Sequence, residues 1–213
     1  MPHRPLRRLH TLTVAVSAAA LAVPLTAPGA AAAGPAAAGV RAGGRVAAAE
    51  LSIPSIGVSG LPVVPYQGSP DDAAGTVIQD QGVAASPHGP GGGVGPGEVG
   101  NYIVTAHRVT AGGPLRALPA LREGATVLVT AGGVTYTYRI SATRTTSFRS
   151  QDSMNAQRAP VPGSPGTAPT RAVITVTTCL TPEDDAAGNH WRDAQNNPEH
   201  RLDKIGVLTG TSP

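Results

Sequence analysis

The sequence predicts an all-β domain whose strands close, or nearly close, into a barrel. Three observations lead there. Short apolar runs rich in β-branched residues recur along the chain, Gly and Pro punctuate the gaps between them, and no segment of the domain sustains a helical period. Closure would protect the edge strands. A β-sandwich is the alternative, and strand number alone does not choose between the two.

The elements follow in order. Residues 51–58 read as the first strand and 61–64 as its continuation. Ser69, Pro70, Asp71 and Asp72 form a helix-start signal, predicting a short helix to Ala74. Residues 76–78 read as a short strand, and 87–100 as a Gly/Pro loop. The run 102–106 predicts a strand with His107 at its C-terminal end, and 114–121 one or two helical turns interrupted at Pro119. Residues 126–130 and 134–140 alternate across Ala131, Gly132 and Gly133, and the glycine pair supplies the positive φ that a tight hairpin needs. Residues 150–170 are polar and Pro-rich, whereas 172–178 is a β-branched run with the highest strand propensity in the chain. A long polar loop, 181–200, precedes a final strand over 202–208. No internal repeat is present, which excludes solenoids and propellers.

Composition narrows the function classes. The chain has 213 residues, room for one domain and a targeting segment. With one Trp, one Phe and four Tyr, its core must be built from Val, Ile, Leu and Ala. The net charge of +3 is small, the basic residues are scattered, and Lys204 is the only lysine, so the footprint of a nucleic-acid binder is missing. Arg4, Arg7 and Arg8 precede an apolar stretch over 11–28 and a small-residue segment over 30–34, the pattern of a secretory signal peptide or an uncleaved anchor. The expected organisation is therefore a signal peptide or N-terminal membrane anchor over 1–33, a disordered Ala/Gly linker over 34–49 and a catalytic domain over 50–210.

The chemistry rests on three side chains. Cys179 is the only cysteine, so no disulfide can form within the chain. It stands where the β-branched run ends and a polar loop begins, a location that fixes a nucleophile and leaves it accessible. An ordinary thiol titrates near about pH 8.5 and needs a base or positive charge to activate it. His107, at another strand end, is suited to protonating a leaving amine. Arg201 opens the last strand, and its permanent charge can hold a thiolate, an oxyanion or a peptide carbonyl. Arg192, within the preceding loop, is the runner-up for that role; Arg201 is preferred because a strand is the more rigid platform. Taken singly, each has a bland explanation: a small buried hydrophobe, an exposed imidazole, a solvated charge.

Taken together they are more specific. The segment Thr105-Ala-His-Arg-Val-Thr-Ala-Gly-Gly-Pro-Leu-Arg-Ala-Leu118 resembles the histidine strand and following helix of sortases. Thr-Thr-Cys-Leu-Thr-Pro, ending at Pro182, resembles their cysteine strand; Arg201 with Ile-Gly-Val-Leu208 resembles their arginine strand; and Leu51-Ser-Ile-Pro-Ser-Ile-Gly57 resembles their first strand. The likeness spans residues 50–209 in the order His, Cys, Arg and is nearest the class E type of actinobacteria. It implies a closed eight-stranded barrel with one or two short helices and no cofactor. It also implies attack by Cys179 on the Thr carbonyl of an LPxTG- or LAxTG-like sorting signal, protonation of the leaving Gly amine by His107, and peptide or oxyanion binding by Arg201. Thr178, next to the nucleophile, would contribute to the oxyanion site. The implied partners are exported proteins bearing such a signal and a cell-wall amine of the lipid II type. The N-terminal pattern adds an exported location, at the cell surface as a cleaved protein or anchored to the membrane if that segment is retained. The chain departs from the family in Ala106, where Gly is usual before the histidine, in the length of the 181–200 loop and in the loose Gly-rich stretch 89–97.

Other features carry less. The glycine run lacks the Lys-Ser/Thr of a phosphate loop. Glu183, Asp184, Asp185, Asp193 and Glu199 match no calcium spacing, and His190 and His200 match no zinc motif. Trp191 reads equally as a substrate contact or as cover for apolar surface. A cell-wall L,D-transpeptidase would place Ser-His-Gly-Cys around the nucleophile, which is missing. The remaining alternative is a non-catalytic secreted β-barrel that binds the wall or a partner protein.

Overall fold

The computed structural model describes residues 47–213, so the expected targeting segment and nearly all of the linker lie outside the described residues. Eight strands close a barrel in the order β1-β2-β3-β4-β7-β8-β6-β5. They are β1 Ala49–Ile53, β2 Val58–Gln67, β3 Ala84–His88, β4 Gly100–Thr105, β5 Thr126–Ala131, β6 Val134–Ser147, β7 Ala172–Cys179 and β8 His200–Ser212. Three short helices decorate it: α1 Ala73–Gln79, α2 Gln151–Arg158 and α3 Thr181–Ala186. The barrel is the expected one, with more helix than expected.

Local sequence accounts for most elements. At the N-terminal end the chain does not continue as one strand: Pro54–Ile56 forms a 3-10 turn, Gly57 takes φ 72°, and β2 folds back antiparallel on β1 with Ile53 opposite Val58. Gly132 and Gly133 both have positive φ, 58° and 79°, and close the β5–β6 hairpin as expected. Residues 76–78, expected to be extended, lie inside α1; the N-cap carboxylate of Asp72 accepts from Gly75 N at 2.9 Å and wins over the β-branched pair Thr76 and Val77. Ser150 caps α2 in the same way, accepting from Ser153 N at 3.2 Å, within a stretch that composition alone renders as loop. β3, Ala84–His88, is a strand the sequence did not predict; it pairs parallel with β2 and antiparallel with β4, and its last two residues take up the start of the expected Gly/Pro loop over 87–100.

Glycine at 92 and 93 has a packing reason. A Cβ at Gly93 would collide with the carbonyl oxygen of Asn101, and one at Gly92 with the backbone around Pro87 and His88. Only bare backbone lets this loop lie against β3 and β4.

The interior is one aliphatic cluster. Leu51, Ile53, Val63, Tyr102, Val104, Val127, Val129, Tyr138, Ile140, Ile174 and Val176 are all at most 2 % exposed and belong to it. Strand alternation leaves the odd-numbered residues of β7 on the outside. There they meet not solvent but a polar layer reaching down from α2, and β7 is buried along most of its length.

Candidate active site

Sheet topology brings the three candidate segments to one end of the barrel. β4 and β7 are parallel, with Thr105 opposite Thr177, so both strands end at the same rim. β8 runs antiparallel to β7 and starts there, placing Arg201 directly opposite Cys179. Direct partners in a ladder project from the same face, so thiol and guanidinium are neighbours by register. Ala106 N donates to Thr177 O at 3.3 Å and extends the β4–β7 pairing to the residue before His107.

Cys179 and His107 line one groove of about 380 Å³, together with Asp80, Arg108, Thr181, Arg192 and Asn197. The Sγ of Cys179 donates to Asn197 Oδ1 at 3.6 Å. Burial pushes the thiol up to about 12, the nearby carboxylate of Asp71 adds to the rise, Arg201 opposes it, and Asp193 and Asp184 raise it further. In this state the sulfur is a thiol at neutral pH. His107 Nε2 lies 2.8 Å from Asp80 Oδ1. Arg108 makes a two-pronged contact with Glu183, at 2.6 and 2.8 Å, which ties the segment after β4 to α3 across the groove.

Arg201 sits beneath this groove rather than along it. The residue is 1 % exposed, its guanidinium carbon is 3.7 Å from the centre of the Phe148 ring, and Nη1 donates to Gln157 Oε1 at 3.1 Å. Nη2 is 2.6 Å from Asp71 Oδ2, close but poorly aligned, so Nη2 and Nε have no properly directed acceptor. Gln157 also donates to Asp203 Oδ1 at 2.6 Å, and Thr146 donates to Asp203 Oδ2 at 2.6 Å. Burial raises the Asp203 carboxyl against these hydrogen bonds and the charge of Arg201.

The other two candidates fall out differently. The Thr178 hydroxyl donates to the Ala106 carbonyl at 2.7 Å, and alternation puts it on the face opposite Cys179. Arg192 does line the groove, held by Asp185 Oδ1 at 2.5 Å and by the Trp191 carbonyl at 2.8 Å. Residues 71, 80, 157 and 197 were not singled out by sequence reasoning. Asp71 belongs to the helix-start signal, but nothing in a linear pattern tells that it pairs with a residue 130 positions later.

A barrel of this topology, with a cysteine strand flanked by a histidine strand and an arginine strand, is the architecture of a cysteine transpeptidase. A sortase domain matches residues 51–192, two thirds of the chain and the part that holds His107 and Cys179, and the chain belongs to the sortase family of cysteine transpeptidases. Solved structures agree on the fold. The chain superposes on sortase E of Streptomyces avermitilis with a TM-score of 0.56 at 25 % identity, covering 79 % of this chain and 91 % of that one. Against sortase E1 of Streptomyces coelicolor, solved with a tripeptide in the active site, the score is 0.58 at 22 % identity, again over 79 % and 91 %. A sortase of Actinomyces oris gives 0.57 at 21 % identity over 78 % and 81 %. No curated protein matches the sequence.

Proposed function

We propose that the chain is a sortase acting on an LPxTG- or LAxTG-like signal, with Cys179 as nucleophile, His107 as acid and base and Arg201 as the cation that holds the peptide or the oxyanion. The observation that carries the reading is that Cys179 and His107 share one groove, while a guanidinium with two undirected donors lies opposite the sulfur on the next strand. The tripeptide in the Streptomyces coelicolor relative supports a peptide as the ligand.

In this reading the thiol loses its proton only as substrate arrives. The proton passes to His107, the sulfur bonds to the Thr carbonyl carbon, and the Nε–H and Nη2–H of Arg201, which have no directed acceptor, turn to the developing oxyanion. Collapse breaks the Thr–Gly bond, and His107 gives the proton to the departing Gly amine. An acceptor amine of the lipid II type, or water, then attacks the thioester, and its proton returns through His107 to the sulfur. Thr178 acts indirectly by fixing the end of β4 through the Ala106 carbonyl. The preferred location is outside the cytoplasm. Among the described residues no helix is long and apolar enough to cross a membrane.

Quenched LAxTG and LPxTG peptides test the reading. Wild type is expected to cleave at least one, and Cys179→Ala and His107→Ala to lose at least about 10³-fold in kcat/KM. No cleavage of either peptide by wild type would leave the non-catalytic secreted barrel as the better reading.

A further inference from the structure

We infer that α1 is the positioning element of the reacting groups: Asp71, just ahead of the helix, holds Arg201, and Asp80, just after it, holds His107. The inference rests on the proposed roles of those two residues. Its basis is that one short element touches both of them. Asp71 is 6 % exposed and contacts Arg201 at 2.6 Å, and Asp80 contacts His107 Nε2 at 2.8 Å. Eight residues lie between them, Asp72 and the seven of α1, and the helix alone rises about 10 Å, so the two carboxylates stand apart on one rigid body.

The helix is itself fastened in several ways. Asp71 adopts φ 56°, a left-handed conformation rare outside glycine, which lets the chain turn into the helix with this carboxylate aimed at Arg201. Gln79, the last helical residue and buried, donates to Asp71 Oδ1 at 2.6 Å and so binds the far end of α1 to its start. Asp72 Oδ2 accepts from Ser69 N at 2.8 Å, and the Tyr66 hydroxyl donates to Ser69 O at 2.5 Å. Gly75 lies so near Tyr66 that a Cβ there would strike the hydroxyl. The helix therefore rests on β2, and what it holds is held in register with the barrel.

Positioning has an electrostatic side. The charged groups facing Cys179 are Arg201 on β8, Asp71 ahead of α1, Asp184 on α3 and Asp193 in the β7–β8 connection. Those sharing the groove with His107 are Asp80, Arg108 and Arg192. Asp71 both occupies Arg201 and raises the thiol, so it sets how much of the guanidinium charge the sulfur feels.

Two measurements on the full chain test this. One is the pH profile of iodoacetamide alkylation of Cys179, which needs no peptide; the other is steady-state turnover of the sorting peptide. Asp71→Asn is expected to move the alkylation profile to lower pH by about one unit, because a carboxylate that raises the thiol is gone. Asp80→Asn is expected to lower kcat roughly ten- to a hundredfold with KM little changed, since the imidazole is misaimed while the groove remains. Asp80→Glu is expected to recover most of the loss. An alkylation profile unmoved in folded Asp71→Asn, or turnover of Asp80→Asn equal to wild type, overturns the inference. Should Asp71→Asn not fold, the pair of variants at the exposed Asp80 still decides. If wild type cleaves no sorting peptide but the alkylation profile moves, the proposed activity falls and the hold of Asp71 on the thiol's surroundings stands.

Discussion

Toward the barrel interior, β4 and β7 present Tyr102, Val104, Ile174 and Val176 to the aliphatic cluster, and β8 presents the buried Leu202 opposite Thr178; outward, the same strands present Asn101, Thr175, Thr177, Cys179, Arg201 and Asp203. Both faces are buried, one by aliphatic neighbours and the other by α2 and its polar contacts. The Asn101 amide donates to the carbonyls of Gln157 and Ala159 at 2.9 and 3.1 Å, and Thr175 donates to Asn101 Oδ1 at 2.8 Å. The inner face supplies non-directional burial, which tolerates exchange of one hydrocarbon for another of similar volume. The outer face supplies directed hydrogen bonds, and each partner removed leaves another group stranded. The difference teaches where precision is stored: the groups proposed to react sit on the side whose geometry is fixed by bonds with direction.

That contrast can be broken by mutation. The largest effect is expected from Arg201→Ala, which strands Asp71 in a buried site; it should cost about 3–5 kcal/mol in urea unfolding and abolish turnover, whereas Arg192→Ala should leave both near wild type. Equal, mild losses in the two variants would remove the distinction between a buried and a groove-lining guanidinium. Ile174→Ala, on the inner face, should cost about 2–5 kcal/mol yet keep kcat within a few-fold, provided the variant is assayed well below its melting temperature. Thr177→Val removes an acceptor of Gln157 at 3.4 Å and should cost about 1 kcal/mol with a measurable fall in kcat, so that the smaller change in stability carries the larger change in chemistry.

The smallest effect concerns the tie across the groove. The Arg108 guanidinium holds the Glu183 carboxyl below its ordinary range. A carboxyl lowered on folding stabilises the native state above its unfolded pKa, and that contribution disappears as pH falls through the lowered value. Wild type should therefore lose more melting temperature than Glu183→Gln between pH 6 and pH 3, by a small margin because the carboxylate is half exposed.

The sequence made the inner face and the barrel legible, since alternation, β-branched runs and a Gly-Gly hairpin are local signals. The same signals placed Cys179, His107 and Arg201 at element ends. Hidden from it were α2 and β3, the first an eight-residue helix whose apolar side chains are only Met154 and Ala156, the second a strand carrying Ser86 and Pro87. Also hidden were Asp71, Asp80, Gln157 and Asn197. Each acts through a partner far along the chain, 130 residues in one case and 44 in another, and no periodicity encodes such a meeting.

The direction of β8 has a practical consequence. The strand starts beside Cys179 and ends at Ser212, paired with Thr135 next to the hairpin turn; Glu50 of β1 pairs with Thr130 at that same rim. Both described termini thus leave the barrel at the pole away from the sulfur, roughly 36 Å along β8 from Arg201. A handle or bead joined after Ser212 is therefore held at the pole remote from Cys179.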